Sequence, residues 1–256
     1  MLKKIFSNGF TQKQKQMNKY LTLSVIIFSL LSCNSEDKKN SVFIQGGGTL
    51  YDWANLSKYA ESNKELIDNL DENRVVFMGN SITEGWSNFN PDFFINNPYV
   101  NRGISGQTTP QMLIRFKPDV VNLKPSAVVI LAGINDIAGN TGPMKIENIA
   151  ENIFSMSEIA LANNIKVFIC SVLPAKAFPW SPSIKNVAKK VIELNLLLKD
   201  YCLENNIQYV DYHSVMDDGN GGLKVPEHTT ENDLIHPNKD GYKVMEGVIS
   251  NFLASK

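Results

Sequence analysis

Histidine and cysteine are the scarce residues of this chain. There are three of each in 256, too dispersed to give any metal-ligand spacing. An excess of one charge is missing too: 25 basic residues nearly balance 26 acidic ones, the net charge is −1, and the lysines are scattered. That removes the electrostatic footprint on which nucleic-acid binding depends, so no nucleic-acid partner is expected. No apolar run reaches the roughly 20 residues needed to span a bilayer, and there are no internal repeats or low-complexity segments. What remains is a chain with 43% hydrophobic residues. That is enough for one globular domain with a real core, since a chain of roughly 200 residues buries about 70% of its extended surface.

The N-terminus reads separately. Met17-Asn18-Lys19-Tyr20 is a short basic start, Leu21 to Leu31 is mostly apolar, and Leu30-Leu31-Ser32-Cys33 closes the run. This fits the core of a secretory signal, with Met1 or Met17 as its start. A small residue before a cysteine resembles the lipobox of bacterial lipoproteins, which implies acylation of Cys33. A plain signal peptide cleaved nearby is the alternative. The expected organisation is a leader over 1–33, a flexible polar tether over 34–45 and one domain over 46–256, exported and lipid-anchored to the bacterial cell envelope. The lipid is then the only membrane attachment. Cys170, in an apolar strand, and Cys202, in a helical pattern, read as free buried thiols, with a disulfide as the alternative that export permits.

From about Leu50 onward, strand and helix patterns alternate. Short β-rich runs at Val75–Met78, Tyr99–Arg102, Val128–Leu131, Val167–Leu173 and Tyr209–Tyr212 are the expected strands. Helical spacing occupies Tyr51–Leu70, Pro110–Leu123, Ile146–Asn163, Ile184–Asn205 and Lys239–Leu253. The alternation predicts βαβ units, a parallel sheet and helices on both faces, which is an α/β fold. Runs such as Ala127-Val128-Val129-Ile130-Leu131 are apolar at every position, as a strand covered on both faces must be. Ligands of such sheets bind beyond the carboxyl ends of the strands. The polar and glycine-rich stretches GNSITEGW, GISGQTT, GINDIAGNTG and PAKAFPW each follow a strand, and a long polar loop containing DLIHPN follows the fifth.

Ser81, just past the first strand, is either a helix N-cap or a nucleophile. The G-x-S-x-G elbow is not met, because Thr83 stands where it requires glycine. Among the three histidines, only His236 has an aspartate three residues earlier. Asp233 can fold back in one turn, accept the imidazole N–H and orient the ring as a base. His213 and His228 read as surface or satisfied core residues, although His228 is also a candidate for lining the pocket. Gly103 and Asn135 are candidate donors to an oxyanion, through a backbone N–H and a side-chain amide. Each also has an ordinary reading as a turn glycine or a helix cap.

Taken together, Ser81 in GNSIT, Gly103 in NRGISGQTT, Asn135 in LAGINDI and His236 in DLIHPN resemble the landmark residues of the SGNH hydrolases, the GDSL-type esterases and lipases. The resemblance covers roughly residues 75 to 245. It implies a three-layer α/β/α sandwich around a five-stranded parallel sheet, flavodoxin-like, and a Ser81–His236–Asp233 triad. It also implies an oxyanion hole of the Ser81 and Gly103 backbone N–H groups and the Asn135 amide, with no metal or organic cofactor. One departure is Asn80, where the family usually carries aspartate; loop geometry is expected to change more than activity.

GISGQTT and AGINDIAGNTGP resemble the branch holding platelet-activating-factor acetylhydrolase-like enzymes and carbohydrate acetylesterases. That implies a small ester or acetylated glycan as substrate. Trp86, Phe178 and Trp180, expected at the catalytic edge, are candidates to stack on a sugar ring or to wall an acyl pocket, with ordinary packing as the alternative. Two other readings stand beside it. One is a lysophospholipase or thioesterase taking longer acyl chains; the other is a glycan-binding lipoprotein without catalysis.

Overall fold

The computed structural model describes Gly47 and residues 49–254. The leader, Cys33 and the tether over 34–45 lie outside the described residues. Five strands form one parallel sheet: β1 (Val75–Gly79), β2 (Tyr99–Gly103), β3 (Ala127–Leu131), β4 (Lys166–Cys170) and β5 (Gln208–Val210), in the order β2-β1-β3-β4-β5. All five residues of β1 and all five of β3 are buried. Their unbroken apolar runs are what a strand needs when helices cover both of its faces.

The helices divide between those faces. On one lie α2 (Ser81–Phe89), α3 (Pro91–Ile95) and, after the short α8 (His213–Met216), the C-terminal α9 (Lys239–Leu253). Phe77 of β1 meets Trp86, Phe93 and Phe94 edge-on, and Trp86 stacks on Tyr242 of α9. On the other lie α4 (Thr109–Asp119), α6 (Ile146–Ala162) and α7 (Val187–Glu204), packed side by side. The short α5 (Ile134–Ile137) follows β3, and α1 (Ala60–Asp68) precedes the sheet beside α4. Cys170 and Cys202 are buried free thiols. Among the described residues no helix is long and apolar enough to cross a membrane.

The chain leaves β1 for the β2 edge and then crosses back to β3, so the direction of winding reverses between β1 and β3. Parallel sheets open a crevice at such a switch point, at the carboxyl ends of the strands. Gly79 ends β1 there, in register with Gly103 of β2 and Leu131 of β3.

Several element boundaries differ from the sequence expectation: the fifth strand, expected over Tyr209–Tyr212, is Gln208–Val210, and the helix expected over Ile184–Asn205 is Val187–Glu204. The helix expected over Tyr51–Leu70 is found only at Ala60–Asp68. Before it, the Asp52 carboxylate takes the N–H groups of Leu56 and Ser57 at 2.7 and 2.9 Å, which favours turns over a helix. The fourth strand stops at Cys170, because β5 is only three residues long and its pairing ends at Val210. Beyond it, the Asn195 amide of α7 takes both backbone groups of Val172, at 2.7 and 2.9 Å, in place of a strand neighbour. The stretch Pro110–Leu123 is helical to Asp119 and finishes as a 3₁₀ turn over Val121–Leu123, just after Pro118.

Candidate active site

The nucleophile candidate is delivered by a strand that becomes a helix with almost no loop. A side chain on Gly79 would meet Thr83 Oγ1 at 2.0 Å and the Leu131 carbonyl at 2.9 Å, so only glycine lets β1 turn directly into α2. Asn80 caps that helix: its side-chain oxygen accepts the Ile82 N–H at 3.0 Å. Ser81 is therefore not the cap but the first helical residue, and among the described residues its backbone N–H meets no acceptor. Its hydroxyl lies 2.8 Å from His236 Nε2.

Asp233 and His236 form one turn. Leu234 between them adopts φ 64°, a left-handed conformation that reverses the chain. Asp233 Oδ1 then accepts the backbone N–H of Ile235 at 3.2 Å and of His236 at 2.9 Å. The two carboxyl oxygens also stand 2.9 and 3.0 Å from His236 Nδ1. With Nδ1–H donating to the carboxylate, Nε2 is left as an acceptor for the Ser81 proton. Partial burial pushes the Asp233 carboxyl up. The hydrogen bonds from the His236 backbone and ring outweigh it and hold the group below its ordinary range, as a carboxylate. Beside these residues is a recess of about 230 Å³ whose walls include Ser81, Phe89, Asp233, His236 and Tyr242.

Asn135 is on α5, immediately beyond β3, and is 7% exposed. Its amide donates to the Gln107 carbonyl at 2.9 Å, which fixes its orientation and leaves its second N–H free to donate. The expected backbone donor needs correction. The Gly103 N–H is already taken by Asn101 Oδ1 at 2.8 Å. Gly103 is glycine because a Cβ there would lie 2.1 Å from the Glu84 nitrogen, a packing demand of α2 on β2.

Three residues on, Gly106 has the required freedom. It has φ 77°, and its carbonyl is held by Asn140 at 2.9 Å. The next residue, Gln107, carries the carbonyl that orients Asn135, and among the described residues the N–H of Gly106 meets no acceptor. The signal was in the sequence, as the second glycine of GISGQTT.

The aromatic candidates fall elsewhere. Trp86 is 1% exposed, stacked on Phe93 at 5.1 Å, with its indole N–H donated to Glu246 at 2.9 Å. It belongs to the core and does not border the recess beside Ser81. Phe178 is also buried, 5.4 Å from the half-exposed Trp180, and neither borders the recess beside Ser81. His228 is buried under the loop that carries His236: its carbonyl accepts the Asn238 N–H at 2.8 Å, and its ring nitrogen faces the Met216 carbonyl at 3.4 Å. It supports the loop that carries His236 and does not line the recess.

Two acidic residues were missed. Asp136, next to Asn135, is buried and accepts the Thr109 N–H at 2.9 Å and hydroxyl at 2.6 Å, tying α5 to the start of α4. Desolvation pushes its carboxyl up to about 6, against the pull of those hydrogen bonds. Glu84 accepts the Ser105 N–H at 2.7 Å and pairs with Lys58. Burial raises its pKa, but these partners prevail and hold it below the ordinary range. Among the described residues no group of three or more His, Cys, Asp or Glu side chains is placed to hold a metal ion.

The arrangement pairs an activatable hydroxyl with an oriented base and a set of unpaired donors, the requirements of acyl transfer. The profile of the GDSL-like lipase/acylhydrolase family matches residues 77–244. A solved structure from Bacteroides fragilis, assigned as an acylhydrolase, is 51% identical; the match covers 80% of this chain and 98% of that one with a TM-score of 0.76. A GDSL-like lipase from Bacteroides thetaiotaomicron is 45% identical over 79% of this chain and 98% of its own, with a TM-score of 0.74. At 16% identity, Axe2, an acetylxylan esterase from Geobacillus stearothermophilus, shares the fold: 72% of this chain and 95% of that one align with a TM-score of 0.58. No curated protein matches the chain.

Proposed function

Because this chain belongs to the GDSL-like lipase/acylhydrolase family, and is thus a carboxylic ester hydrolase, we propose that it removes short acyl groups, acetyl above all, from carbohydrate esters. The observation that carries the chemistry is the continuous relay from the Ser81 hydroxyl through His236 to Asp233, at 2.8 and 2.9 Å.

In this reading Ser81 Oγ attacks the ester carbonyl carbon while His236 Nε2 takes its proton. The carbonyl oxygen becomes an oxyanion, held by the N–H groups of Ser81 and Gly106 and by the Asn135 amide. Its collapse breaks the C–O bond to the alcohol, which leaves with the proton from His236. Water then attacks the acyl-serine, with its proton passing to His236. Ser81 departs, regains that proton, and the free acid is released. Asp233 stays ionised throughout and stabilises the imidazolium.

The preference for short acyl groups is supported by the limited recess beside Ser81 and by the fold shared with an acetylxylan esterase. The sequence ending at Cys33 supports attachment of the enzyme to the cell envelope through lipid on that cysteine. Palmitate-analogue labelling that persists after Cys33→Ala would sink that part of the reading.

The main test measures acetate release from acetylated xylan and xylo-oligosaccharides. Nitrophenyl acetate, octanoate and palmitate are compared in parallel, each with wild type and Ser81→Ala. Ser81-dependent acetate release with a preference for acetyl supports the proposal. Preference for palmitate moves the enzyme to the lipase class, and equal rates for the two proteins refute the catalytic assignment.

A further inference from the structure

We propose that Gln107 is a positioning residue that locks the oxyanion loop in place, and that residues 53–59 thereby form part of the catalytic machinery. This rests on the reading of Ser81 as nucleophile and of Gly106 and Asn135 as oxyanion donors.

Gln107 directly follows Gly106 and is fully buried. Every polar group it owns is engaged. Its N–H closes a turn onto the Ile104 carbonyl at 3.2 Å, and its carbonyl accepts the Asn135 amide at 2.9 Å. Its side-chain Nε2 donates to the Ala54 carbonyl at 2.7 Å, and Oε1 accepts from Arg115 Nε at 2.5 Å. The backbone thus fixes two oxyanion donors relative to each other, while the side chain ties that loop to two distant segments.

Arg115 carries the tie to the nucleophile. It too is fully buried, paired with Asp119 at 2.8 Å. Its NH2 donates to the Gly79 carbonyl at 2.9 Å, two residues before Ser81. One guanidinium therefore touches both the strand end that presents Ser81 and the loop that presents Gly106. The fixed fork of arginine suits this role, since its donors hold two acceptors at a set separation.

The second tie runs to a segment preceding the family-matched region of residues 77–244. The Trp53 carbonyl accepts from Gln111 at 2.9 Å, the Ala54 carbonyl from Gln107, and the Tyr59 hydroxyl donates to the Gly103 carbonyl. Three contacts from one short stretch thus land on the chain between Gly103 and Gln111. Only a side chain with both a donor and an acceptor satisfies Arg115 and Ala54 together. Glutamate keeps the first partner and sets an acceptor against an acceptor at the second.

The experiment compares wild type, Gln107→Glu and Tyr59→Phe with nitrophenyl acetate. Reactive sites are counted by fluorophosphonate titration, so that kcat is expressed per active serine. A loosened loop displaces the oxyanion donors, and a misplacement of about 1 Å costs about 100-fold. Gln107→Glu is expected to lose about that factor in kcat with KM changed by less than about two-fold, and Tyr59→Phe to lose roughly 10-fold. Tyr59→Phe removes one part-buried hydroxyl and keeps the test open should Gln107→Glu not fold. Fewer titratable sites or a lower melting temperature with an unchanged kcat per site would mean a merely structural role, and would overturn the proposal. Wild-type protein without Ser81-dependent turnover would refute the esterase reading and this inference with it; Ser81-dependent turnover with unaltered variants refutes only this one.

Discussion

Asp233 holds His236 at two points at once: one carboxyl oxygen accepts its backbone N–H at 2.9 Å, and both oxygens face its ring Nδ1, at 2.9 and 3.0 Å. The carboxylate therefore sets both the turn and the tautomer. Asp233→Asn separates the two roles. The amide oxygen still accepts the backbone N–H, so the turn survives, but an NH2 facing the ring favours the tautomer that carries its proton on Nε2. That ring cannot take the Ser81 proton. The expected result is a loss of roughly 10³- to 10⁴-fold in kcat with the thermal melt nearly unchanged. Nitrophenyl acetate turnover and a melting curve on the same sample check both halves.

Asn135 is already half engaged before any substrate arrives. One amide hydrogen is given to the Gln107 carbonyl, so the side chain is pre-oriented and loses no rotamer freedom in the transition state. Asn135→Ala removes one of the three proposed oxyanion donors and should lower kcat about 100- to 1000-fold, with KM much less affected. A matching rise in KM with constant kcat would show that the residue binds ground-state substrate instead.

Much of this site was readable along the chain because its signals are local. Asp-x-x-His is an adequate description of a one-turn pair, and strands buried on both faces announce themselves by unbroken apolar runs. Where the reading failed, the deciding contact was a side-chain hydrogen bond that periodicity and composition do not show. Gly103 and Gly106 differ in what their N–H groups meet, and the Asn101 side chain that takes the first leaves no trace in a glycine count. The helix expected from Tyr51 breaks because Asp52 takes the Leu56 and Ser57 N–H groups nearby, while carbonyls of Trp53 and Ala54 go to glutamines over fifty residues away. Trp86 was legible after all. It follows Ile82 by four residues, which puts both on one face of α2, and both are buried.

Asn80 departs from the usual aspartate but keeps its function, since either side chain offers an oxygen to the Ile82 N–H. Asn80→Ala should cost roughly 1 kcal/mol of stability through loss of the cap, and Asn80→Asp should restore most of it. Urea unfolding of the three proteins measures this. Equal stability of the alanine variant and wild type would show that the cap bond contributes nothing net.

Asp136 gives the chain a pH dependence that can be isolated by one substitution. Its carboxyl is raised from the ordinary 3.8 to about 6 because burial penalises the ion more than the Thr109 hydrogen bonds favour it. The unfolded chain ionises first as pH rises, so the contribution of Asp136 to stability is fully present below about 3.8 and is lost as pH climbs through about 6. A difference of about two pH units corresponds to about 3 kcal/mol. Asp136→Asn keeps an oxygen for the Thr109 N–H and has nothing to ionise. Relative to wild type, it should therefore gain about 3 kcal/mol in unfolding free energy between roughly pH 4 and pH 8, whatever its absolute stability. Every other titrating group is common to both proteins and cancels in the difference. Urea unfolding of both proteins across that range is the measurement, and a stability difference that stays constant with pH would mean that Asp136 titrates as an ordinary carboxyl.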